Sequence, residues 1–136
     1  VKIVLDTNVL VSAFLKPQSN PAKIFRLILQ GNIDIVVNEC ILAEYYEVLT
    51  RAEFDINPEN IKTTLSLIRT KGINAPATAE SFNLPDRDDE SFLEAALAIG
   101  ADALVTGNKR HFPEKQCKGQ IVVSPKEFLE QIYKAD

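Results

Sequence analysis

The sequence predicts an α/β domain in which a parallel sheet is covered by helices on both faces. Two observations carry this expectation. Short apolar runs rich in Val and Ile alternate with amphipathic helical segments along the chain, which is the order of successive βα units. The helix boundaries are also unusually well punctuated. Asn20-Pro21, Asn57-Pro58 and Ser124-Pro125 each place a capping residue ahead of a proline at the first helical position. Gly31, Gly72 and Gly100 each follow a helical pattern where a C-terminal stop belongs.

Taken in order, Lys2 to Leu5 reads as a strand, and a short helix follows from about Val9 to Leu15. Pro21 to Gln30 is a helix with Ile24, Leu27 and Ile28 along its apolar face, and Ile33 to Val37 is a strand. Glu39 to Arg51 and Pro58 to Lys71 are helices. The segment from Ile73 to Arg87 is irregular, carries Pro76 and Pro85, and has room for one short extended piece. Asp89 to Ile99 is a helix with Phe92, Leu93, Ala96 and Ile99 inward. Ala103 to Thr106 and Gln120 to Val123 are strands, and Pro125 to Tyr133 is the last helix. No internal repeat or linker divides the chain, so residues 1–136 are expected to form a single domain.

The composition, 46% hydrophobic and 25% charged, is that of a soluble globular protein able to bury a core. No apolar run approaches the roughly 18 residues that a membrane span requires, and the first residues read as a strand rather than a signal peptide. Cys40 and Cys117 form no motif and read as free thiols, which points to the cytoplasm. One His and two Cys cannot supply an ordinary structural zinc site. A net charge of −4 argues against gripping nucleic acid by charge alone. It is compatible with a nuclease whose acids share divalent cations.

Asp6 ends the first apolar run and is followed by Thr7-Asn8. A carboxylate at the exit of a buried strand is costly unless it is paired, hydrogen-bonded or metal-bound, and strand exits are where α/β sheets bind ligands. Asp6 therefore either caps the next helix or ligates a metal, and one oxygen can serve each role. Glu44 borders the helix face formed by Ile41, Leu42, Tyr45, Val48 and Leu49. Glu47 and Arg51 are spaced as an exposed i,i+4 pair. In Asp86-Arg87-Asp88-Asp89 one acid caps the following helix. Asp89 lies on the inward stripe with Phe92 and Leu93 and ranks first as a ligand, with Asp86 second and Asp88 third. Asn108, after Thr106-Gly107, offers a carbonyl oxygen without charge or else forms a turn. Lys109 and Arg110 can hold a phosphate backbone or sit in solvent. His111, the lone histidine, reads as solvent-facing. Acids gathered in this way suit Mg²⁺ or Mn²⁺, which prefer hard oxygen ligands and promote in-line phosphoryl displacement.

Four segments resemble the PIN domain family, and in particular its single-domain prokaryotic members, which include toxins of toxin–antitoxin pairs. They are Val4-Leu5-Asp6-Thr7-Asn8-Val9-Leu10-Val11-Ser12-Ala13, the helix Ile41 to Leu49, Asp86 to Ala96, and Gly100 to Asn108, in the family's order. The resemblance implies a three-layer α/β/α sandwich with a central parallel sheet. It implies an endoribonuclease dependent on Mg²⁺ or Mn²⁺, with Asp6, Glu44 and Asp89 catalytic and metal-binding and Asp86 and Asn108 as further ligands. Thr7, Asn8, Ser12 and Thr106 would support the ligands, and Lys109 and Arg110 would contact RNA. Homodimers and an antitoxin partner are also implied. The sequence departs from the family at Asn108, where an Asp is usual.

Two rivals follow. The first is a catalytically weak or inactive PIN module that binds RNA or a protein partner, a reading that Asn108 favours. The second, a response-regulator receiver domain, requires an acid pair after the first strand and a phosphoacceptor Asp ending the third, and the sequence has neither.

Overall fold

The computed structural model describes residues 1–78 and 81–134. Its elements are β1 (Lys2–Leu5), α1 (Thr7–Leu15), α2 (Asn20–Leu29), β2 (Asp34–Val37), α3 (Glu39–Leu49), α4 (Pro58–Lys71), β3 (Ile73–Asn74), α5 (Glu90–Ile99), β4 (Ala103–Val105), β5 (Val122–Val123) and the single turn α6 (Pro125–Glu127). The five strands form one parallel sheet in the order β3-β2-β1-β4-β5, flanked by helices. This is the predicted α/β fold.

Central position explains the continuous apolar runs. Ile3, Val4 and Leu5 of β1, Val36 and Val37 of β2, and Ala103, Leu104 and Val105 of β4 are fully buried. A strand covered on both faces has no polar side to alternate with. Each of the large aliphatic side chains contributes about 1.5–3 kcal/mol by leaving water.

Chain order reverses at β1, where the path leaves toward β2 and β3 and later returns on the other side as β4 and β5. The carboxyl ends of β1 and β4 therefore border a crevice of the kind that binds ligands in open α/β sheets. Pairing of Leu5 with Val105 brings the next residues, Asp6 and Thr106, side by side.

Several boundaries differ from expectation for local reasons. α1 begins at Thr7 because the Asp6 backbone carbonyl accepts from the Val9 amide at 3.0 Å, while the Asp6 side chain makes no capping bond. Ser19, not Asn20, caps α2 through the Ala22 amide at 3.3 Å. Arg87–Asp89 forms a 3-10 turn ahead of α5, capped by Asp86, whose Oδ1 accepts from the Asp88 amide at 2.9 Å. The last helix becomes a π-helical segment over Phe128–Ile132, with the Tyr133 amide reaching the Phe128 carbonyl. That register keeps Phe128 fully buried.

Gly72 ends α4 with an ordinary negative φ of −73°. Its need is space, since a Cβ there would lie 2.5 Å from the Ile68 carbonyl oxygen and 3.0 Å from that of Ile35. The extended piece expected between 73 and 87 is β3, while residues 79 and 80 of that segment, like 135 and 136 at the end of the expected domain, lie outside the described residues. Cys40 is exposed, Cys117 is buried, and both are free. Among the described residues no helix is long and apolar enough to cross a membrane.

Candidate metal centre

Asp6, Thr7, Asn8, Glu44, Glu47, Val48, Arg51, Asp86, Asp88, Asp89 and His111 line one cleft of about 210 Å³ at the carboxyl ends of the strands. Six acids face it, against one arginine and one histidine.

The Asp6 side is held by hydroxyl groups. Asp6 is 5% exposed, and its Oδ2 accepts from the Thr106 hydroxyl at 2.7 Å. That bond follows from the β1–β4 register. The next residue, Thr7, donates its hydroxyl to Glu44 Oε2. Glu44 is half-buried on α3, and the buried Tyr45 beside it donates its phenol to the Leu5 carbonyl at 2.6 Å. Tyr45 thereby ties α3 to the last residue of β1 and fixes Glu44 relative to Asp6. At the β2 exit, Asn38 caps α3 through the Ile41 amide at 2.8 Å and donates to the Ser91 carbonyl at 3.3 Å, which links α3 to α5.

The opposite side is less satisfied. Asp89 is 7% exposed, and its Oδ2 has no hydrogen-bond donor. The His111 Nδ1 lies 3.1 Å from that oxygen, but not in the direction of an N–H···O bond. Donor atoms of Asp86, Asp89 and His111 all fall within 4.8 Å of one another.

Electrostatics follow from crowding and burial. Burial raises the Asp6 carboxyl above its ordinary value, opposed mainly by the Thr106 hydroxyl and the Thr7 amide. Burial also raises Glu44, against the Thr7 hydroxyl. Asp89 is pushed up to about 7, first by burial and then by the charges of Asp6 and Asp86. Burial holds the Tyr45 phenol well above its usual value, so it remains a donor.

The donor set fits a hard divalent cation. It offers carboxylate oxygens, one of them buried without a donor, in a cleft whose negative charge lacks an equal counter-charge.

The predicted residues divide as follows. Asp6, Glu44, Asp86, Asp89, Thr7 and Asn8 line the cleft, and Thr106 bonds to Asp6 from behind. Ser12 is half-buried on α1 and is not part of the lining. Asn108 is also outside the lining, and its amide donates to the Thr106 hydroxyl oxygen at 3.1 Å. Lys109 pairs with Glu127 at 2.9 Å and borders a different cleft with Phe112, Gln120 and Ile121. Arg110 is exposed. Four lining residues fall outside the expected site: Glu47, Val48, Arg51 and His111. Arg51, taken as surface charge, is on the rim with its partner Glu47. His111, taken as solvent-facing, is turned against Asp89.

Residues 2–110 match the family model described as PIN domain, and the chain belongs to that family. The chain is similar to the uncharacterized protein MJ1680 of Methanocaldococcus jannaschii, with 29% identity over 147 residues covering 98% of this chain and 93% of the relative. Two crystal structures share its fold. One is VapBC2 from Rickettsia felis bound to a DNA fragment from their promoter, with TM-score 0.60 and 21% identity over 90% of this chain and 97% of that one. The other is FitAcB from Neisseria gonorrhoeae, with TM-score 0.58 and 15% identity over 91% and 98%.

Proposed function

We propose that this PIN domain is an endoribonuclease dependent on Mg²⁺ or Mn²⁺, acting on single-stranded or structured RNA. The observation that carries the reading is the buried Asp89 oxygen without a hydrogen-bond donor, set in a cleft lined by six acids. A cleft of this charge repels a phosphodiester unless a cation stands between them. Asp6, Glu44 and Asp89, with Asp86, are the residues that would hold the ion.

When bound, the ion offsets the charge of the acids and the scissile phosphate and stabilises the leaving oxygen. The chain's own groups do the rest. The Thr106 hydroxyl holds Asp6 in one orientation. The Thr7 hydroxyl engages Glu44 Oε2 and leaves Oε1 to take the proton of the attacking water. The raised affinity of Glu44 for protons suits that task. Arg51 on the rim and the exposed Arg110 supply positive charge for flanking phosphates. Lys109 joins them when RNA displaces Glu127.

The membership in the PIN family and the fold shared with VapBC2 and FitAcB support a toxin role, with a homodimer and an antitoxin protein as partners and the cytoplasm as the site of action. The inactive-module reading retains one favouring observation, the uncharged Asn108. Labelled single-stranded RNA separates the two. The parent should cut it only with a divalent cation, and Glu44→Gln should not cut. Intact RNA with every divalent cation would overturn the enzymatic reading.

A further inference from the structure

We propose that His111 is a direct metal ligand, completing with Asp86 and Asp89 a site of two carboxylates and one imidazole that selects Mn²⁺ over Mg²⁺. The inference rests on the cleft being a cation site and concerns which atoms hold the ion.

The geometry is close to chelation. Donors about 2.1 Å from one ion stand about 3 Å apart when adjacent and about 4.2 Å apart when opposite. The three donor atoms here lie within 4.8 Å of one another, so closing on an ion requires contraction of about half an ångström. Asp89 supplies the independent sign of a ligand, because its Oδ2 is buried and accepts no hydrogen bond. A simple His–Asp bond would have satisfied that oxygen. Instead the imidazole Nδ1 and the carboxylate oxygen reach the same space from two elements and stand 3.1 Å apart, an ion-pair contact without a hydrogen bond.

Local structure explains how the imidazole arrives there. After β4 the chain forms a 3-10 turn over Lys109–His111, closed by the His111 amide on the Asn108 carbonyl at 3.1 Å. The Asn108 amide donates to the Thr106 hydroxyl oxygen, the same group that donates to Asp6. The next residue, Phe112, is buried and anchors the far end of the turn. The loop thus presents His111 to the cleft while Asn108 stays outside its lining. A nitrogen donor thus reaches the cleft three residues beyond Asn108.

Chemistry sets the consequence. Mg²⁺ demands hard oxygen ligands and dehydrates reluctantly. Imidazole is a borderline donor suited to first-row transition metals, while carboxylates suit Mn²⁺ as well as Mg²⁺, so a mixed set discriminates against Mg²⁺ more than against Mn²⁺. Preference for Mn²⁺ over Mg²⁺ should therefore depend on His111.

The chain contains a single histidine, so an imidazole signal has one source in tag-free protein. The test is electron spin-echo envelope modulation of bound Mn²⁺, alongside competition by Mg²⁺. The parent should show imidazole ¹⁴N coupling. His111→Gln should lose it and bind Mn²⁺ about 10–100-fold more weakly, with a smaller loss for Mg²⁺. His111→Asp, which returns an oxygen donor, should bind Mn²⁺ without nitrogen coupling and bind Mg²⁺ better than the parent. Circular dichroism in EDTA confirms that each variant is folded. Bound Mn²⁺ without ¹⁴N coupling in the parent would overturn the role of His111 and leave the acidic cation site standing. Absence of any bound Mn²⁺ would overturn both.

Discussion

Asp6 and Asp89 are both more than nine-tenths buried and face the same cleft, yet Asp6 Oδ2 accepts a hydroxyl hydrogen bond and Asp89 Oδ2 accepts none. The Asp6 side is built into the sheet, where the β1–β4 register brings Thr106 alongside and the Tyr45 phenol fastens α3 to Leu5. The Asp89 side is built from two 3-10 turns, Arg87–Asp89 and Lys109–His111, that meet at the His111–Asp89 contact of 3.1 Å. A hydrogen-bonded carboxylate is satisfied within the fold, whereas a buried carboxylate oxygen without a donor carries an uncompensated desolvation cost. The difference separates a half of the cleft fixed by hydrogen bonds from a half with an acceptor left open, where the proposed cation would bind.

The largest expected effect is at Asp6. Asp6→Asn removes charge from the organised half, and metal-dependent cleavage should fall by at least about 100-fold in a single-turnover assay. A variant cutting at the parental rate would mean that the reacting phosphate lies elsewhere.

Asp89→Asn should have the opposite sign on stability. Above pH 7, where Asp89 is ionised, removing its buried charge should raise metal-free stability by about 1–3 kcal/mol in urea unfolding. The same change should abolish the rise in melting temperature that millimolar Mn²⁺ gives the parent. A destabilised Asp89→Asn protein would show that the carboxylate is satisfied after all.

The same contrast appears in pH dependence. Asp89 keeps its proton in the fold up to about 7 but loses it near 3.8 when unfolded. Between those values the native state binds more protons than the unfolded state, so its contribution to stability falls as pH rises. The metal-free stability curves of parent and Asp89→Asn should run together below pH 3.8 and separate up to pH 7. Parallel curves across that window would contradict the assigned shift.

Smaller effects are expected behind the site. Thr106→Val removes the donor to Asp6 and should cost about 1–2 kcal/mol, while Tyr45→Phe should cost about 1 kcal/mol. Asn108→Asp should change the metal dependence of cleavage least, because position 108 does not line the cleft. A large gain at limiting metal would place that side chain among the ligands.

Most of the organised half was legible in the sequence. An apolar strand ending in Asp6 and a helix face bordered by Glu44 are periodic signals, and periodicity reports burial. Asp89 was legible in the same way, by its place on the inward stripe that continues into α5. The helix caps at Asn57 and Ser124 were equally local, each bonding an amide within three residues. The other half depends on contacts that spacing cannot encode. His111 meets Asp89 only because β4 lies beside β1 and the following turn folds back. Lys109 looked available for phosphate, but Glu127, distant in sequence, takes it while also capping α6. Gly72 read as a helix stop, and a Cβ there would meet the Ile68 carbonyl of α4 and, as a tertiary contact, the Ile35 carbonyl of β2.

The most direct test of the cleft is an anomalous difference map from crystals soaked in Mn²⁺. The expected result is density between Asp6 and Asp89, bounded by Glu44, Asp86 and His111, that disappears in Asp89→Asn. A parental map with no anomalous density in this cleft, at Mn²⁺ concentrations that support RNA cleavage, would contradict the assignment of these acids as the metal centre.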